Sequence, residues 1–74
     1  MMTDWKALGR ELIEAERRVL EAQAAVQAVS MDSGAEAYVE AHRVARAELN
    51  AAWQRKHHAA RAALQAVEEA GRDR

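Results

Sequence analysis

The chain has 74 residues, half of them apolar, with eleven basic and twelve acidic side chains, no cysteine and no proline. So short a chain forms at most one domain and excludes a large enclosed core. Lack of cysteine excludes a disulfide staple, and the near balance of charge gives no bulk drive toward nucleic acid or a membrane surface.

The predicted first helix runs from about Asp4 to Ser30, with Thr3 as its cap and Asp4 favoured by the helix dipole. Trp5, Leu8, Leu12, Ala15, Val19, Ala22, Val26 and Val29 recur in alternating steps of three and four. That is the seam of a packed helix pair. Gly9 lies inside this helix, where it costs roughly 1 kcal/mol against alanine, and is expected to permit a close contact.

A turn is expected over residues 31–34, where Ser33 and Glu36 have the spacing of a capping box. The second helix then spans about 35–70, Gly71 is expected to stop it, and residues 71–74 to fray. Its apolar stripe reads as less regular: Tyr38, Ala41, Ala45, Leu49, Ala52, Trp53, Ala60, Ala63, Leu64 and Val67. His42 and Lys56 interrupt it, and Tyr38, Leu49 and Ala60 suggest an eleven-residue repeat. The fold class that follows is all-α, a two-helix antiparallel hairpin. A tight turn near Asp32 places residue i opposite roughly residue 64 minus i, leaving an overhang of about 15 Å beyond Ala60.

Two features point to a homodimer that closes into a four-helix bundle. Ile13 and Leu20 lie off the main seam of the first helix, and Ala63, Leu64 and Val67 lie on the overhang of the second. These five form the expected dimer interface; the competing reading leaves Ile13 and Leu20 as ordinary surface residues.

No catalytic constellation is present in the sequence: Ser30 and Ser33 are explained by the turn, and there is no HExxH or Gly-rich phosphate loop. His57 and His58 are adjacent and diverge by about 100° on a helix, and His42 is distant, so no metal or other cofactor is expected. His42 is read as a buried or boundary residue bonded across the hairpin, with Glu21 as the candidate partner, and Lys56 as snorkelling from the seam edge rather than serving as a reactive amine. Glu14 has arginine partners at helical spacing in Arg10, Arg17 and Arg18, and Arg17 another in Glu21, the usual support of a solvated face.

Charge is nonetheless uneven. Arg43, Arg46, Arg55, Lys56 and Arg61, with His57 and His58 among them, face the single acid Glu48. With Trp53 as an anchor, Arg43, Arg46, Arg55, Lys56, His57 and Arg61 form the candidate partner-binding surface. Two simpler readings compete: the basic helix complements the acidic first helix, and Trp53 belongs to the core.

The length, the two-helix layout broken at Met31-Asp32-Ser33-Gly34-Ala35-Glu36 and the Arg/Ala/Glu-rich composition resemble small phage-encoded helical-hairpin accessory proteins of the quorum-sensing anti-activator type. The resemblance spans the whole chain and carries no residue-level motif. It implies a homodimer that binds a host transcriptional activator and blocks it. In architecture the chain also looks like the plasmid repressor-of-primer protein, which implies an RNA- or DNA-binding dimer using the basic face of the second helix. A structural or assembly subunit is a third alternative. The expectation is a non-enzymatic, protein-binding regulator or inhibitor. With no apolar run near about 18 residues and no basic-then-apolar start, a cytoplasmic location is expected.

Overall fold

The computed structural model describes residues 3–32 and 34–72. Its two helices, α1 (Trp5–Gln27) and α2 (Ala35–Arg72), pack side by side as an all-α hairpin measuring 60 × 15 × 13 Å.

Local chemistry sets the ends. Asp4, not Thr3, caps α1: its carboxylate accepts a hydrogen bond from the Ala7 amide at 3.0 Å. A charged acceptor at the positive end of a helix is the stronger cap. α1 stops three residues short of the expected Ser30. Beyond Gln27 the Val29 amide reaches back to Val26, and the Ser30 hydroxyl takes the Asp32 amide at 3.1 Å. A serine that bonds nearby backbone draws the chain away from the helix. The connector is therefore 28–34 rather than 31–34. Gly34 adopts φ +100°, donates its amide to Met31 and accepts the Tyr38 amide, which starts α2. The expected capping box involves Ser33, which lies outside the described residues. Gly71 does not stop α2, which continues to Arg72. Glycine tolerates the left-handed stop conformation without requiring it, and a cation suits the last turn.

The seam of α1 is as read from Leu8 to Val26, with Ala15 and Val19 buried and Leu8, Leu12, Ala22 and Val26 half-buried, whereas Trp5 at the helix start is 50% exposed and Val29 lies beyond the helix end. The irregular stripe and eleven-residue repeat read into α2 are corrected. Its covered residues are Tyr38, His42, Ala45, Leu49, Ala52, Lys56, Ala59, Ala63, Ala66 and Ala70, joined on one flank by Ala62. Their steps alternate four and three throughout, so α2 carries a heptad seam as regular as that of α1. His42 and Lys56 belong to the seam instead of interrupting it. Trp53, Ala60 and Leu64 lie outside it.

The register is corrected as well. Lys56 pairs with Glu16, Ala59 shares a groove with Ala15, and Ala52 shares one with Ala22. Residue i thus stands opposite roughly residue 72 minus i, about one heptad from the tight-turn expectation. Ala66 is only 9% exposed, so the overhang expected beyond Ala60 is covered. The excess length of α2 lies at the connector end instead. There the connector, with a reach of up to about 3.3 Å per residue, spans the stretch of α2 that runs past the end of α1 at about 1.5 Å per residue.

Candidate docking surfaces

Side chains that follow a seam residue by one position turn about 100° away from the seam. In an antiparallel pair the two helices are related by a half-turn about an axis normal to the hairpin, so these positions share one broad face. Ile13 follows Leu12 and Leu20 follows Val19; Trp53, Leu64 and Val67 follow Ala52, Ala63 and Ala66. All five are exposed, Ile13 at 64% and Trp53 at 37%. The expected interface residues Ile13, Leu20, Leu64 and Val67 are thereby brought onto one face. Ala63 is the exception, because it sits half-buried in the hairpin's own seam.

The same rule divides the expected partner-binding set. Arg43, Arg46 and His57 follow His42, Ala45 and Lys56, and so share the face of Trp53. Arg43 and Arg46 occupy the connector end of that face, and the large apolar side chains of Ile13, Leu64 and Val67 the other end. Arg55 precedes Lys56 and turns to the opposite face, where it lines grooves with Arg18, Glu21 and Glu48 and with Arg10 and Glu14. Arg61 lies on the outer flank beside Leu64 and Glu68. No single surface holds all of them.

Lys56 is drawn into the hairpin rather than offered to a partner. Its ammonium lies 2.6 Å from the Glu16 carboxylate and 4.6 Å from the centre of the Trp53 ring, with its side chain 32% exposed. The stem lines the seam while the charge reaches the edge. The His57 ring is tilted against Trp53 with centres 6.2 Å apart, so Trp53 contacts both a cation and an imidazole from the next turn of its own helix. Arg43 grips Glu40 with two hydrogen bonds, of 2.6 and 3.1 Å. Those bonds first, and the opposite charge second, hold the Glu40 carboxyl below its ordinary range and the Arg43 guanidinium above its own. Glu14 pairs with Arg17 and Arg18 as read. His42 does not reach Glu21; it stacks on Tyr38 with ring centres 5.7 Å apart. The one-heptad shift of register carries Glu21 away from it.

The opposite face is charged at its rims and floored with alanine. Two open grooves run along it, of about 350 and 510 Å³, floored by Ala22, Ala51 and Ala52 and by Ala15, Ala59 and Ala62. Neither groups a nucleophile with a base. Among the described residues no three histidine, aspartate or glutamate side chains form a metal-holding group, and no helix is long and apolar enough to cross a membrane. Comparison with family models, with curated proteins and with solved structures finds no match to the chain.

Sequence reading placed Lys56 at the edge of the seam but missed its regular place in the heptad and its partner Glu16. The signal was there: Lys56 lies seven residues after Leu49 and fourteen after His42, a heptad spacing that hydrophobicity alone hides.

Proposed function

We propose that this chain is a non-enzymatic docking protein that regulates or inhibits another protein by occupying its surface. The observation that carries the reading is the placement of its contact-forming side chains. Trp53, Ile13, Leu20, Leu64 and Val67 are spread over one exposed face, and the open grooves elsewhere do not group a nucleophile with a base. A long helical face suits a groove or a complementary face on a partner better than it suits a small substrate. The connector end of this face, with Arg43 and Arg46, fits an acidic protein surface. A host transcriptional activator, the target implied by resemblance to phage anti-activators, is the specific form of this proposal.

The test is capture of partners from bacterial lysate with tagged chain, with and without nuclease, followed by mass spectrometry. A discrete protein retained after nuclease is the expected result. Arg43→Glu combined with Arg46→Glu is expected to weaken that capture at least about tenfold, a loss of about 1.4 kcal/mol, while leaving helicity unchanged. Retention of nucleic acid alone would replace this reading with the RNA- or DNA-binding one. Undiminished capture by the double variant would move the contact off the connector end.

A further inference from the structure

We propose that the apolar face is covered by a second copy of this chain, with the twofold axis passing beside Ala60 and Ile13. This deepens the docking reading: the second copy takes the apolar part of the face and leaves the connector end, with Arg43 and Arg46, to the partner protein, and its failure would return the whole face to that partner.

The first argument is area. A folded monomer of 8.2 kDa typically exposes about 4,500 Å². This chain exposes 6153 Å², an excess of about 1,600 Å². A stable protein interface takes about 800 Å² from each partner, so a second copy absorbs a large part of that excess. The second argument is the thinness of the core. Its buried residues are Ala15, Val19, Ala45, Leu49, Ala59 and Ala66, four of them alanines, while larger side chains remain outside. A 74-residue chain without a disulfide is in the size range where association commonly completes the core.

The composition of the face selects a like partner over an unlike one. Its apolar part runs from Val67 through Leu64, Ile13 and Ala60 to Leu20 and Trp53, with the small Ala60 near the middle. A half-turn about an axis crossing the face at Ala60 and Ile13 sets each helix against its own mate, with Trp53 of one copy over Val67 of the other and Ile13 beside Ile13. Such self-complementarity is what a twofold interface requires. The charges at the centre of the face, Glu16 and Lys56, already satisfy each other, so covering them strands neither. Arg43 and Arg46 fall beyond the apolar part and stay open on both copies.

Sedimentation equilibrium from 1 to 100 µM tests the proposal on the wild type, on Ile13→Arg with Leu64→Arg, and on Val44→Arg, which changes an exposed apolar residue preceding the seam residue Ala45 on the opposite face. The expected result is a wild-type dimer, a dissociation constant raised at least tenfold in the double variant, and an unchanged one in Val44→Arg. A wild-type monomer at 100 µM, or a dimer broken only by Val44→Arg, overturns it. Should the double variant unfold, two measurements on folded protein still decide. Thermal midpoints of a dimer rise with wild-type concentration and those of a monomer do not. Ala60→Cys, the sole cysteine in that variant, should form an interchain disulfide under mild oxidation while Arg46→Cys does not; the reverse pattern overturns the placement of the axis.

Discussion

Gly34 and Gly9 are the same residue type under opposite demands. Gly34 holds φ +100°, a backbone conformation that side chains with a Cβ adopt only under strain, and its amide and carbonyl both serve the connector and the start of α2. Gly9 lies in ordinary helix, and a Cβ built there meets nothing within 4 Å. The close helix contact expected from its sequence position is absent; only the entropic cost of glycine in a helix remains. Gly34→Ala is therefore expected to destabilise the fold by about 1–2 kcal/mol, and Gly9→Ala to stabilise it by up to about 1 kcal/mol. Urea denaturation followed by circular dichroism separates the two. Shifts of the same sign would contradict this account of the backbone.

At the scale of the helix, the existence and direction of both elements were legible from alternating spacing and the lack of proline, and the seam of α1 was legible from Leu8 to Val26 but not at its ends, where Trp5 is exposed and Val29 lies past the helix. The register was not. Two unbroken heptad seams match again whenever one helix slides by seven residues, so periodicity cannot choose between adjacent registers. The choice rests on polar seam residues and connector length. In the tight-turn register Lys56 would stand level with Leu8; in the observed one it meets Glu16 at 2.6 Å. An ion pair at this partly exposed site contributes up to about 1 kcal/mol, enough to hold a competing register to a minor share of the population. Lys56→Met should remove that discrimination. Spin labels at Gln27 and Arg46, level with each other in the observed register, should give one narrow distance in the parent and a second population about 5 Å longer in Lys56→Met, since an axial slip of about 10 Å adds at right angles to the helix separation. A single unchanged distance in both would assign the register to the connector alone. The docking surfaces were legible in the same partial way. Ile13, Leu20, Leu64 and Val67 stood out as off-seam apolar residues, but Arg55 and Arg61 were grouped with Arg43 because charge was counted along the chain rather than around the helix.

The whole molecule is no longer than its longer helix, since α2 rises 1.5 Å per residue over 38 residues and the hairpin measures 60 Å. Thickness, not length, limits its core, and its long flat faces are what it offers to a second copy or a partner. The two ends of α2 are also unequally supported. Beyond about Ala45 toward its start, α2 has passed the end of α1 and lies against the connector, where Val29, Tyr38 and His42 are only half-buried. Amide protons should report the difference as two kinetic zones within one continuous helix. Those of residues 38–44 should exchange with solvent through local fraying, at least about a hundredfold faster than those of residues 49–66, which open only when the helices part. Hydrogen exchange followed by NMR would show a step near Ala45, and a uniform rate along α2 would mean that the connector clamps the first turns as firmly as a helix does. A step would mark the start of α2 as a segment able to melt and re-form while the rest of the hairpin stays folded.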